Sequence, residues 1–312
     1  MDEAQASSPT SGVRFRQAKS LPASGGRRGD MSNTPILFIV PTRNSHHCLP
    51  HLVRSLQQQT WPHWQVLIID GNSQDGTIHD LQQLCREDSR FRWQSQHPPF
   101  EGIFGAMNQG LEVVASNPEW NDAWVLFWGS DDWAASPQVL ASVATRLEGL
   151  TRSGGSPDLL ICRARYAQPN GQGQHILGRR STFRLLGSYH WSVFLGRTPP
   201  HQGTLFSPKV RQRLPSYATG FALSADVDYF LRLSRFADAS VAVLPLDLVE
   251  MASTGISGQR NQQRFLEVKR AYQRRYGALW WISYALRYWQ RAVDAGLATL
   301  QRKPSRSAAQ LD

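Results

Sequence analysis

Short apolar runs, each ended by a cluster of polar turn formers, recur along the first half of the chain. Ile36 to Val40 is apolar and β-branched and runs into Pro41-Thr42-Arg43-Asn44, which reads as a strand entering a polar loop. Leu49, Leu52, Val53 and Leu56 then recur at helical spacing, so a helix over 47–58 with one face on a core is expected. Val66 to Ile69 repeats the strand pattern and empties into Asp70-Gly71-Asn72-Ser73-Gln74-Asp75-Gly76-Thr77. Thr77 and Asp80 are spaced as a capping box for a helix reaching Cys85. A weaker strand follows over 91–94, then a glycine-rich stretch from Phe100 to Gly110 that continues as a helix to about Ala115. Val125 to Trp128 is the fourth strand and 137–147 the next helix. Strand, loop and helix in repeated succession predict an α/β fold, with a mostly parallel central sheet and helices on both faces.

A Gly/Ser/Pro stretch from Ser153 to Pro157 separates this half (34–150) from a second (151–260). There, Leu159 to Cys162 reads as a strand and Pro169-Asn170-Gly171 as a hairpin tip. Phe221 to Leu233 is an apolar stretch that carries Asp226 and, two residues on, Asp228. Residues 261–303 form a basic, amphipathic helical tail: Leu279, Ile282, Leu286, Trp289, Val293, Leu297 and Leu300 share one face. Trp280, Trp281, Tyr284 and Tyr288 crowd its edges, with Arg287, Arg291, Arg302 and Lys303 nearby. Two readings stay open, packing on the protein's own core or lying in a membrane interface. Residues 1–33 and 304–312 are expected to be disordered, with Met31 an alternative start.

Composition narrows the partners. A formal net charge of +10 favours acidic ones, whether nucleic acid, anionic lipid or a phosphorylated small molecule. Cys48, Cys85 and Cys162 are too scattered for a disulfide framework or a zinc site, which points to a reducing, cytoplasmic setting. No uninterrupted apolar run reaches the roughly 18 residues of a membrane span.

The fourth strand carries the candidate chemistry, because it ends in Gly129-Ser130-Asp131-Asp132. Adjacent carboxylates at the carboxyl end of a buried parallel strand suit a cation and a phosphate. The alternative is that they cap the turn and helix ahead of Pro137. Four strand–helix units also fit a dinucleotide-binding domain, but the loop after the first strand is Pro-Thr-Arg-Asn and lacks the glycine fingerprint.

Phe38-Ile39-Val40-Pro41-Thr42-Arg43-Asn44, Ile69-Asp70-Gly71-Asn72-Ser73-Gln74-Asp75-Gly76-Thr77, Glu101-Gly102-Ile103-Phe104-Gly105-Ala106-Met107-Asn108-Gln109-Gly110 and Trp128-Gly129-Ser130-Asp131-Asp132 together resemble, in order and spacing, the motifs of family 2 glycosyltransferases. The resemblance is nearest to the subgroup that builds bacterial exopolysaccharides and covers roughly residues 35–260; Ser253-Thr254-Gly255-Ile256-Ser257 resembles a late loop of the same family. It implies the GT-A fold with a nucleotide-binding first half, an acceptor-side second half, and inverting sugar transfer from a UDP- or GDP-type donor to a glycan or lipid-linked acceptor. Pro41, Thr42 and Asn44 would line the base and ribose, Asp70 would accept from the base's ring N–H, and Asn72 and Ser73 share its loop. Asp131 would reach the ribose and Asp132 would ligate Mg²⁺ or Mn²⁺. Gly102 and Asn108 would lie along the diphosphate, although Asn108 can equally cap or hydrogen-bond within its own helix. Asp226 matches the general base. Asp228 would face elsewhere or hold a neighbouring cation, with His201 and Gln202 on the acceptor or phosphate side.

Two positions depart from the family pattern, Gly105 and Gly129, where relatives carry acids. That motivates a second reading, an inactive family member acting as a partner subunit. A third, nucleic-acid binding, sits poorly with basic residues gathered at the termini and acidic loops after the strands. The expected location is cytoplasmic, with peripheral attachment to the inner face of the membrane if the tail is interfacial.

Overall fold

The computed structural model describes residues 34–169, 175–252 and 261–301. The two expected disordered tails, the 253–257 loop and the hairpin-tip residues Asn170 and Gly171 lie outside the described residues.

Alternate residues of the first strands feed two separate cores. Leu37 and Ile39 of β1 (Ile36–Thr42), Leu67 and Ile69 of β2 (Trp64–Asp70), and Val125 and Phe127 of β4 (Trp124–Phe127) point to one side. There they pack with Ala106, Met107, Leu111 and Val114 of α3 (Gly102–Ser116). Ile36, Phe38, Val40, Val66, Ile68 and Leu126 point to the other side, onto α1 (Leu49–Gln57) and α4 (Val139–Arg152). This burial on both faces is why the strands read as continuous apolar runs.

β3 (Phe91–Ser95), β2, β1 and β4 are parallel, in the order β3-β2-β1-β4. Beyond β4 antiparallel pairs join the parallel ones, and the sheet as a whole is mixed. β8 (Thr204–Phe206) is antiparallel to both β4 and β6 (Leu159–Pro169). β9 (Val241–Ala252) is parallel to β6 and antiparallel to β5 (Asp132–Ala134), and β7 (His175–Ser181) forms a hairpin with β6. Strand order reverses between β1 and β4, and the carboxyl ends of strands at such a switch point are where open α/β sheets hold ligands.

The expected capping box at Thr77 does not form. The cap of α2 (Thr77–Glu87) is Gly76, at φ 96°, and Asp75 accepts from the Thr77 amide at 3.2 Å. Asp80 instead meets His46 Nδ1 at 2.6 Å, tying the start of α2 to the loop after β1.

α5 (Tyr189–Phe194), α6 (Pro208–Arg213) and α7 (Ala225–Leu233) add Tyr189, Val210 and Phe230 to the α3-side core. α8 (Asn261–Tyr276) joins them through Val268, Ala271 and Tyr272. α9 (Trp280–Gln301) packs through Ser283 and Arg287, whose side chains bond the Phe194 carbonyl (2.5 Å) and Thr198 (2.8 Å). That leaves Leu279, Trp289 and Val293 of the apolar stripe 58%, 69% and 43% exposed, together with Trp281 at 59%. The face that packs is therefore rotated from the one the apolar spacing selects. No described helix is long and apolar enough to cross a membrane.

Candidate active site

Pairing register sets the first part of the site, because Thr42 at the end of β1 lies directly opposite Asp70 at the end of β2. Both strands then turn through an asparagine in the left-handed region, Asn44 at φ 52° and Asn72 at φ 60°, a conformation that asparagine tolerates better than most residues. The two loops are laced together. The Asn44 amide donates to Ser73 Oγ and the Gln74 amide to Asn44 Oδ1, each at 2.8 Å. Asp70, wholly buried, accepts from the Ser73 amide (2.9 Å) and from Ser73 Oγ (2.6 Å). Through these two bonds Asp70 forms the turn itself, which fixes the carboxylate's orientation while leaving acceptor capacity, since a carboxylate takes about four hydrogen bonds. Gln96 extends this edge: its amide donates to the Asp70 carbonyl (2.7 Å) and its side chain to the Gly102 carbonyl (2.8 Å) at the start of α3. Gly102, at φ 67°, has open space where a side chain would stand, and the start of α3 carries no side-chain cap.

The second part comes from β4. Asp132 does not cap a helix. It opens β5, α4 starts only at Val139, and the Asp132 carboxylate accepts from the Gly129 amide at 2.6 Å. Asp132 is 3% exposed and Asp131 half-buried. Burial, reinforced by the charge of Asp131, holds the Asp132 carboxyl well above the usual carboxylate range, and burial also raises Asp131. Gly129 allows this arrangement, because a Cβ there would lie 2.5 Å from Asp131 Oδ1 and 3.3 Å from Asp132 Oδ2. Ser45 Oγ and Ser130 Oγ meet at 2.7 Å and join this loop to the one after β1.

The third part crosses from the second half of the chain. His201, buried, stacks on Phe127 (5.4 Å between centroids), and Gln202 accepts from the Trp128 indole through its carbonyl at 2.9 Å. His201 Nε2 meets the Tyr217 hydroxyl at 2.8 Å. Burial lowers the His201 pKa, which keeps the ring neutral, and the charge of Asp226 partly opposes this. Burial raises the Tyr217 hydroxyl well above its usual range, with Asp226 contributing. Asp226, on the first turn of α7 and half-buried, therefore lies within electrostatic reach of the His201–Tyr217 pair that sits against the end of β4. Asn108 makes a reciprocal pair with the Tyr217 backbone, donating to its carbonyl (3.0 Å) and accepting from its amide (2.7 Å). Its amide group is spent on that loop. Asp228 does hold neighbouring cations, those of Arg232 (2.8 Å) and Arg274 (3.3 Å), and is 1% exposed.

The structure thus brings Thr42, Asn44, Asp70, Ser73, Asp131 and Asp132 to one sheet edge, with His201, Gln202 and Asp226 on its far side. Tyr217, Gln96 and Ser45 belong to the same site and lie outside the motifs legible in the sequence. Among the described residues, no group of three or more His, Cys, Asp or Glu side chains could hold a metal unaided. Among the described residues no cationic side chain pairs with Asp131 or Asp132, and two such carboxylates fit a hard divalent cation that takes its remaining ligands from phosphate and water.

Fold and edge define an α/β domain with acidic and turn-forming side chains gathered at a topological switch point, the place where open sheets of this kind hold their ligands. Residues 37–159 match the family described as Glycosyl transferase family 2, which is the stretch that carries β1 to β5 and their loops. Over 107 residues the chain is 29% identical to a PGL/p-HBAD biosynthesis glycosyltransferase of Mycobacterium bovis; the stretch covers 34% of this chain and 39% of that protein. Over 94 residues it is 29% identical to the GalNAc(5)-diNAcBac-PP-undecaprenol beta-1,3-glucosyltransferase of Campylobacter jejuni, covering 30% of this chain and 28% of that one. Among solved structures, S. aureus TarS 1-349 in complex with UDP-GlcNAc superposes with a TM-score of 0.56 at 17% identity, over 78% of this chain and 68% of that one. The mannosyltransferase PcManGT from Pyrobaculum calidifontis, in complex with GDP-Man and Mn2+, gives 0.56 at 14% identity, over 89% and 78%. The architecture is the GT-A fold with an added helical C-terminal segment.

Proposed function

We propose that the protein transfers a sugar from a UDP- or GDP-type nucleotide donor to a hydroxyl of a glycan or lipid-linked acceptor, with inversion. The observation that carries this reading is the Asp131–Asp132 pair, held at the switch point between the Asp70 loop and Asp226. Asp70, oriented by Ser73, accepts from the ring N–H of the base, and the 41–44 loop with Asn72 lines the nucleoside. Asp131 reaches the ribose. The uncapped start of α3 at Gly102 presents backbone N–H groups to the diphosphate, as helix N-termini do for anions. Asp132 holds the divalent cation, which when bound supplies charge neutralisation for the departing diphosphate. Asp226 takes the acceptor's proton as the acceptor oxygen bonds to the anomeric carbon and the bond to the β-phosphate oxygen breaks. His201, neutral and bonded to Tyr217, shapes the wall between the two substrates, while Asn108 serves by holding the Tyr217 loop.

The acceptor reading extends to where the enzyme works. Trp281, Trp289 and Val293 follow one another along the outer face of α9, and Arg197 lines a cleft of about 340 Å³ with Leu286, Trp289, Gln290 and Val293. Lys269 stands over the neighbouring Trp280 ring at 5.3 Å. Between residues 261 and 303 there are nine Lys or Arg against two acids. Exposed tryptophans flanked by cations suit the surface of an anionic bilayer, where a lipid-linked acceptor resides.

The test is release of UDP or GDP from a panel of nucleotide sugars with Mn²⁺ or Mg²⁺. Turnover of at least one donor, lost in Asp132→Ala, is the expected result; a panel with no turnover and no binding of either nucleotide would reject the proposal.

A further inference from the structure

α7 starts without a cap of its own. Ser224 occupies the N-cap position, yet its hydroxyl makes no capping bond and is buried without a partner. The free amides ahead of the helix are satisfied from elsewhere: Ala222, Leu223 and Ser224 all donate to the carboxylate of Glu267 on α8, at 3.0, 2.8 and 2.9 Å. Glu267 is 8% exposed. The grip continues along α8, where Arg270 donates to the Gly220 carbonyl (3.3 Å) and Arg274 pairs with Asp228. One helix therefore holds the chain on both sides of Asp226.

We infer that Glu267 is a positioning residue for sugar transfer, acting through Asp226 by fixing the 222–224 backbone that leads into the first turn of α7. This rests on the proposed role of Asp226. A carboxylate suits the task because it accepts three N–H groups at a helix's positive end without offering a donor of its own. Glu267→Gln places an NH₂ group against those amides and leaves at least one unpaired. Displacement of a reacting group by about 1 Å costs on the order of 100-fold in rate, so a loss of about 10- to 100-fold in kcat is expected. Donor contacts lie on the β1, β2 and β4 loops, so KM for the donor and affinity for UDP or GDP with Mn²⁺ stay within about twofold.

The experiment is a double-mutant cycle on the full chain, using whichever donor the panel identifies, with Glu267→Gln, Asp226→Asn and the double variant. Acting through Asp226, Glu267→Gln costs its full factor in the wild-type background and less than about twofold when Asp226 is already Asn. An equal loss in both backgrounds assigns Glu267 a general structural role and overturns the inference, as does wild-type kcat in Glu267→Gln. Wild-type kcat in Asp226→Asn removes the base assignment instead, and the inference with it. If Glu267→Gln does not fold, Glu267→Asp keeps the charge and shortens the reach, with an intermediate loss in kcat expected and an unchanged kcat counting against the inference. Amide exchange supplies a readout free of turnover: residues 222–224 exchange at least tenfold faster in Glu267→Gln while the 70–73 loop is unaffected, and unchanged exchange at 222–224 overturns the inference.

Discussion

Asp132→Asn exposes the conflict between stability and function at the carboxylate pair. The contacts that a Cβ at Gly129 would make put Asp131 Oδ1 and Asp132 Oδ2 no further apart than the sum of 2.5 and 3.3 Å. Two unit charges about 5 Å apart at an effective dielectric of about 20 repel by about 3 kcal/mol. Asp131 is half-buried, and solvent screening reduces this to about 1–2 kcal/mol. The sign follows from the raised pKa of Asp132. Below the unfolded-state pKa both states are protonated and the site costs nothing; as pH rises from there to the folded-state value, the unfolded chain gives up the proton that the native state retains, and stability is lost. Asparagine removes that cost. Without metal or nucleotide, Asp132→Asn is therefore expected to melt about 2–8 °C above wild type at pH 8, taking about 2–4 °C per kcal/mol, with the gap closing toward pH 4. Adding Mn²⁺ with UDP or GDP should stabilise wild type and leave the variant unmoved, narrowing or reversing the gap. Scanning calorimetry over the pH series decides the matter. A variant less stable than wild type at pH 8, or equal stabilisation of both by metal and nucleotide, would refute the reasoning.

Other parts of the account have their own tests. Asn108→Ala removes two bonds to the Tyr217 backbone and is expected to cost about 1–3 kcal/mol in urea denaturation; a cost below about 0.5 kcal/mol would show that the pair does not hold the loop. Gly129→Ala drives a methyl group against Asp131, so Mn²⁺-dependent nucleotide affinity should fall about tenfold or more by calorimetric titration, and an unchanged affinity would separate the pair from metal binding. Trp281→Glu with Trp289→Glu should abolish sedimentation with phosphatidylserine-containing liposomes at low salt while leaving nucleotide affinity intact; no liposome binding by wild type would reject the membrane surface.

The first four parallel strands were legible because burial on both faces leaves uninterrupted apolar runs, and the loops after β1 and β2 were legible because their turns need asparagine. β5 was hidden, since Asp132-Trp133-Ala134 looks like the head of a helix until β9 is seen alongside it. β9 itself is interrupted by Pro245 and Asp247, and its pairing with β6 shifts register near them. Asn108 appeared in a recognisable motif, but its partner is a backbone segment more than a hundred residues away, which leaves no side-chain signature. Glu267 and the inner face of α9 were equally out of reach. In α9 it is Ser283 and Arg287 that pack inward, against the apolar stripe that spacing selects, because Gly196 lets the Arg287 backbone approach where a Cβ would collide.

The central claim is that a nucleotide sugar bound at the β1–β2–β4 edge is attacked by an acceptor deprotonated at Asp226. Its most direct test is single-turnover transfer of labelled sugar from the donor that turns over, in wild type and in Asp226→Asn, with UDP or GDP affinity measured on the same samples. A fall of about 10²- to 10⁴-fold in the transfer rate is expected, with nucleotide affinity unchanged. Transfer at the wild-type rate in Asp226→Asn, or loss of nucleotide binding along with transfer, would contradict it.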